Sequence, residues 1–149
     1  MHDTQVGQTE DLAACHALRR AVFIAEQGVS EADEMDDLDG GAIHLLAWRG
    51  GQPVGTARLL HSAGTGKIGR VCVLAHHRGA GVGAALMHAA IAHFHARADI
   101  HTVQLGAQTH AKGFYARLGF VAEGAVYLDA DIPHRDMVLT LPAPQMRGA

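Results

Sequence analysis

The sequence predicts one α/β domain with a mixed central sheet of about six to seven strands and helices on both faces. Three observations predict it. Apolar runs over 42–48, 53–60 and 67–74 follow one another across glycine-bearing turns, the pattern of an antiparallel meander. A glycine-rich stretch after the third run opens a long helical pattern that leads into another apolar run at 100–105. Such a β–α–β connection makes the two flanking strands parallel. Two more runs, over 120–127 and 135–141, supply the last strands.

Each element has a local reason. Residues 4–6 read as a short first strand. Thr9 or Asp11 can cap a helix over 10–27, whose apolar positions Leu12, Cys15, Leu18 and Val22 recur at helical spacing, with Gly28 as its stop. Residues 30–41 hold Glu31, Asp33, Glu34, Asp36, Asp37 and Asp39, and read as a solvated loop or short helix. Arg49-Gly50-Gly51-Gln52 and Ser62-Ala63-Gly64-Thr65-Gly66 are turns with glycine where positive φ is wanted. A helix runs from the glycines to about Arg97 with Val82, Leu86 and Phe94 on one face. Another spans 109–118 and ends at Gly119. The domain is expected over 1–141, with a proline-bearing, frayed tail over 142–149.

Composition excludes several classes. The 149 residues fit one domain, and 48% hydrophobic with 18% charged residues is ordinary globular composition. A net charge of −3 gives no support for nucleic-acid binding. No apolar run reaches the length of a membrane span. The polar start, Met1-His2-Asp3-Thr4-Gln5, is unlike a signal peptide, so a cytoplasmic location is expected. Cys15 and Cys72 form no CxxC pair and read as small buried apolar residues. The 12 histidines are scattered. His93 and His95 do not share a helix face, and His88 and His95 lie two turns apart, so no metal site is expected.

The most informative segment is Val71-Cys72-Val73-Leu74-Ala75-His76-His77-Arg78-Gly79-Ala80-Gly81-Val82-Gly83-Ala84. A strand feeds a glycine turn that opens a helix. The first amides of a helix lack internal partners and carry the positive end of its dipole. Glycines let an anion approach them, so the segment reads as a phosphate or pyrophosphate site. Gly79-x-Gly81-x-x-Ala84 fits a dinucleotide fingerprint. The acidic residue that should follow the next strand is missing, since that strand ends in Leu105-Gly106-Ala107-Gln108. The GK[ST] of a P-loop is also absent.

Read instead as Arg78-x-x-Gly81-x-Gly83 after Val71-x-Val73, the same segment resembles the coenzyme-A-binding motif of the GNAT acetyltransferase superfamily. The stretch from Leu18 through Arg19, Arg20 and Phe23 to Gln27 resembles the first helix of its ElaA-like branch. So do Asp36 and Asp39 before His44, and Gly55-Thr56-Ala57-Arg58-Leu59. Gly69-Arg70-Val71, Phe114-Tyr115-Ala116-Arg117-Leu118-Gly119-Phe120 and Ile132-Pro133-His134-Arg135-Asp136-Met137 also match. The resemblance covers about residues 5 to 140.

It implies an N-acetyltransferase with acetyl-CoA as acyl donor and no metal. The pantetheine arm would pair with Val71, Cys72 and Val73 like an added strand. The pyrophosphate would sit on the amides of Gly79, Ala80, Gly81, Val82, Gly83 and Ala84, with Arg78 nearby. Gln108 falls where many relatives carry an asparagine that contacts the cofactor. Tyr115 aligns with a tyrosine that serves as general acid for the departing thiolate, and the amide of Val73 would stabilise the oxyanion. An incoming ammonium must lose a proton. Glu26 and His134 are the candidate bases, and His44 is a weaker one. Arg58 and Arg70 would bind an acidic substrate group or pair with Asp36 and Asp39. The acceptor is a primary amine, on a small molecule or a protein. Two other readings stay open: a non-catalytic acyl-CoA sensor on the same fold, and a nucleotide-dependent oxidoreductase. A homodimer is a permitted arrangement.

Overall fold

The computed structural model describes residues 3–147; residues 1–2 and 148–149 lie outside it. Strands β1 (Thr4–Thr9), β2 (Ile43–Arg49), β3 (Gln52–Ser62) and β4 (Thr65–Val73) pair antiparallel, each with the next. Gly50 and Gly51 take positive φ in the β2–β3 turn, as the sequence requires. After β4 comes helix α3 (Val82–His95), which crosses to β5 (Thr102–Gln108), parallel to β4. Helix α4 (Lys112–Arg117) leads to β6 (Val121–Asp129) and β7 (Ile132–Thr140). The seven-stranded order is β1-β2-β3-β4-β5-β7-β6. The last strand thus inserts between β5 and β6, antiparallel to both.

Helices cover both faces. On one face Leu86, Met87, Ala90 and Phe94 of α3 bury against Leu59, Ile68 and Val103 of the sheet. Phe94 lies so close over Gly66 that a Cβ there would sit 2.6 Å from the ring, so glycine is required for close approach. On the other face Cys15, Leu18 and Val22 pack on Leu46 and Cys72. They come from helix α1 (Leu12–Arg19) and its π-wound continuation Arg20–Glu26. Asp11 caps α1, its Oδ1 accepting from the Ala14 N–H at 3.1 Å.

The acidic segment holds the short helix that was one of its expected forms, and Glu31, Asp33 and Asp37 are exposed, but Glu34 is buried and Asp36 and Asp39 are partly so. Helix α2 (Glu31–Glu34) and a 3₁₀ turn (Asp39–Gly41) fold against the sheet through three arginines. Arg19 and Glu34 are 1% and 2% exposed. Arg19 donates its Nε to Glu34 and its Nη1 to Asp39 at 2.8 Å. Arg58 reaches Asp36 with both Nη atoms at 2.7 and 3.0 Å, a bidentate fork. Arg70 donates to the Glu34 carbonyl at 3.0 Å and to Asp36 at 3.3 Å. A charge run buries only where opposite charges match it one for one, and here three arginines meet Glu34, Asp36 and Asp39.

The tail is also better held than its composition suggests. Arg147 is 8% exposed and donates to the carbonyls of Arg97 (2.6 Å), Ile100 (2.5 Å) and Pro142 (2.7 Å). It fastens the last described residues to the segment that follows α3.

Two outcomes follow from the charge cluster. Arg19→Met leaves buried Glu34 without its close guanidinium partner and takes one of three partners from Asp39, and should cost about 3–5 kcal/mol in urea unfolding. Arg20→Met breaks only the exposed pair with Glu31 and should cost less than about 1 kcal/mol. Equal costs would show that the cluster does not hold α2. The Asp39 carboxyl is also informative. Burial pushes it up, but bonds from Arg19, His16 and Arg58 outweigh that and hold it well below the usual carboxylate range. A depressed folded value means that the stabilisation is complete above the unfolded value of about 3.9 and is lost as pH falls through the folded one. Unfolding free energy measured across acid pH should fall steeply in the wild type and less steeply in Arg19→Met.

Candidate active site

The site begins where the sheet opens. β4 and β5 are paired only at Thr65, Gly66 and Lys67 with Thr102, Val103 and Gln104. Beyond Lys67 they diverge. A bulge bends β4 there: Arg70 and Val71 together face Ala57 of β3, and Arg70 takes a φ of 51°. The opening is a cleft of about 910 Å³. Val71, Val73 and Gly83 line it from one side, and Leu105, Gln108 and Tyr115 from the other.

The edge of β4 along this cleft carries free hydrogen-bonding capacity. The Leu74 N–H bonds the Val54 carbonyl at 2.9 Å, which makes Gly55–Val73 a non-hydrogen-bonded pair. The N–H and C=O of Val73 therefore point away from β3, into the cleft. Cys72 alternates and turns its backbone to Thr56, so it offers position and no free amide. Its thiol is pushed up to about 12 by burial and is inert at neutral pH.

At the end of β4 the glycines do what the sequence suggests. Gly79 and Gly81 hold φ of 80° and 85°, and a Cβ at either would meet nothing within 4 Å. The demand is conformational, and the space in front of the turn is open. The first bond into α3 runs from the Ala85 N–H to the Gly81 carbonyl at 3.0 Å. The N–H groups of Val82, Gly83 and Ala84 precede it and are the unpaired amides of a helix start. These residues fit a pyrophosphate, and the free edge at Val73 fits an extended amide-bearing chain.

Arg78 joins the two parts. Its Nε donates to the Val73 carbonyl at 3.0 Å, and its fork takes both oxygens of Glu26 at 2.5 and 2.7 Å. The bonds from Arg78 hold the Glu26 carboxyl below its usual range. Glu26 is thus an ion-pair partner of Arg78 at the exposed rim of the cleft. Gln108, at the end of β5, donates to Gln27 at 2.9 Å and ties the far wall to the end of the first helix.

Tyr115 projects from α4 into the cleft, edge-on to Phe114 (5.0 Å) and Phe120 (6.2 Å). Burial pushes its phenol up to about 12, so it stays protonated at neutral pH. His134 lines the cleft from β7. Its Nδ1 lies 2.7 Å from the Ile132 carbonyl, so Nδ1 carries the hydrogen and, in the neutral ring, Nε2 is the open acceptor. Its ring stacks on Tyr127 at 5.9 Å.

Other expected contacts fall elsewhere. His44 is 5% exposed and donates Nε2–H to the Asp39 carbonyl at 2.9 Å. It braces the acidic turn and does not line the cleft, so the expectation of a substrate contact is corrected. Arg58 and Arg70 reach the cleft wall, but their forks are taken by Asp36 and the α2 carbonyls, the pairing alternative of the sequence reading. Sequence reasoning missed Tyr127 and Asp136. The available signal was the strand period: Asp136 stands two residues from His134 and therefore shares its face.

Comparison with known proteins agrees with this geometry. Residues 9–141 match the family described as an acetyltransferase (GNAT) domain. The uncharacterized N-acetyltransferase YjcF of Bacillus subtilis is 38% identical over 87% of this chain and 92% of its own. Protein ElaA of Escherichia coli is 36% identical over 92% of each. The crystal structure of an acyl-CoA N-acyltransferase from Pseudomonas aeruginosa superposes with a TM-score of 0.80 at 38% identity, covering 93% of this chain and 99% of that one. With its splayed strands, glycine turn and matching sequence over nearly its whole length, the chain belongs to the GNAT acetyltransferase family.

Proposed function

We propose that the chain transfers an acetyl group from acetyl-CoA to a primary amine by direct attack. The observation that carries this reading is the free edge of β4 at Val73, which opens onto the same cleft as Tyr115 and His134. Acetyl-CoA supplies the activated thioester. The Val73 N–H is aimed where charge develops on the carbonyl oxygen. Gly81 and the helix-start amides hold the pyrophosphate. His134 Nε2 accepts the proton that the ammonium loses, since its tautomer leaves that nitrogen open.

Tyr115 requires a refinement of the general-acid role. A phenol at about 12 is a weaker acid than a thiol near 8.5, so full proton transfer to sulfur is uphill by about 5 kcal/mol. The group acts instead by donating a hydrogen bond to sulfur as negative charge develops. A thiolate is stable enough to leave with that assistance.

Acetyl-CoA at 100-fold over Kd should raise Tm by roughly 2–8 °C. NADH should not. Gly81→Val, which forces a side chain into a left-handed position before the amides, should abolish the shift. A shift with NADH alone would contradict the reading. Tyr115→Phe should lower kcat by roughly 10- to 100-fold with the KM for acetyl-CoA little changed, the loss of one hydrogen bond to a charged group. Full activity in that variant would remove Tyr115 from the mechanism. Acetyl-CoA binding without thiol release to any amine would favour a sensor.

A further inference from the structure

The cleft's charges point to a class of acceptor. Most of its ionisable groups are already matched: Arg58 and Arg70 with Asp36, Arg78 with Glu26. Among the described residues, the lining acids without a cationic partner are Asp33, Asp129 and Asp136, and the unmatched lysine is Lys67. Asp136 differs from the two exposed acids because it is half-buried and held in place. Tyr127 donates its hydroxyl to Asp136 Oδ1 at 2.7 Å. Tyr127 also approaches β5 closely enough that a Cβ on Gly106 would lie 2.5 Å from its hydroxyl. Burial, then the bond to Asp136, pushes the Tyr127 phenol up to about 12, so it remains a donor. The other oxygen, Oδ2, has only the Gln104 amide at 3.5 Å. A carboxylate accepts about four bonds, so Asp136 has capacity left.

Position gives this capacity a meaning. His134 and Asp136 sit opposite Gln108 and Gly106 of β5, on one face of β7. Two residues along a strand span about 6.6 Å. The nitrogen that attacks must be neutral at His134, so it cannot also be the cation that Asp136 holds.

We infer that Asp136 is a specificity-determining residue that binds a second ammonium group of the acceptor, one that stays protonated while the other nitrogen attacks, so that the acceptor is a diamine-like cation. Two amino groups four carbons apart have a reach of about the size of the Cα separation between His134 and Asp136. This rests on the transferase reading above and names its acceptor class. Tyr127, stacked on His134 and bonded to Asp136, is the positioning residue between the two ends.

The test is titration calorimetry of the full chain with three probes of one length: diaminobutane, butylamine and aminobutanoate. Diaminobutane should bind at least about tenfold more tightly than butylamine, the worth of one charge-assisted contact. Asp136→Asn should abolish that preference, and Tyr127→Phe should reduce it, while both variants keep the wild-type far-ultraviolet dichroism. Asp136→Glu should restore part of it. Equal binding of diaminobutane and butylamine, a preference that survives Asp136→Asn, or tighter binding of aminobutanoate through Lys67 would each overturn the inference. The binding readout needs no turnover. Failure of acetyl-CoA to bind would count against the transferase reading, whereas the absence of a diamine preference in the wild-type chain, with acetyl-CoA still bound, counts against the role of Asp136.

Discussion

The cleft exists because β4 stops pairing with β5 after Lys67. A sheet interior normally satisfies every backbone group. Here one strand edge inside a seven-stranded sheet is left available. The closed end is fixed by Phe94 packed over Gly66 and by the Thr65 and Thr102 hydroxyls, 3.1 Å apart. The open end is set by the bulge at Arg70, which bends β4 away from β5. An unpaired edge is a template for another extended chain. In this protein it opens onto a cleft lined also by α4, β7 and the end of the first helix.

The arginine–carboxylate cluster works behind this wall. It anchors α2 and the following turn to β3 and β4, and one of its arginines sits at the bulge itself. Its matched charges remove three arginines from the pool available to substrate. A cleft that seems rich in both signs from sequence therefore presents few free charges. Those few, rather than the total, set which acceptor the cleft can hold. The same principle applies at the rim, where Arg78 and Glu26 satisfy each other and Arg78 orients the Val73 carbonyl.

Much of this was legible in the sequence because short-range physics decides it. The meander, the glycine turn and the long helix after it follow from alternation, turn chemistry and helical period, and the structure has all three. The sheet of six to seven strands with helices on both faces is found with seven. The insertion of β7 between β5 and β6 was not legible, because strand order across a sheet is set by long-range packing. The short helix of the acidic segment and the pairing of Asp36 and Asp39 with arginines were legible, but the burial of Glu34 was not, for a related reason. Burial of Glu34 depends on Arg19 and Arg70, which are 15 and 36 residues away. No local rule connects them. The open edge at Val73 was expected only through a family resemblance. Its direct basis is the hydrogen-bond parity of the Gly55–Val73 pair, which appears once the strands are in register.

The central claim is that the β4 edge and the glycine turn together hold the acyl donor. Amide hydrogen exchange with and without acetyl-CoA tests it most directly. Slowed exchange at Val71, Val73 and residues 79–84, with β1 and β6 unaffected, is the predicted result. Protection spread evenly over the chain, or confined to segments outside the cleft, would contradict it.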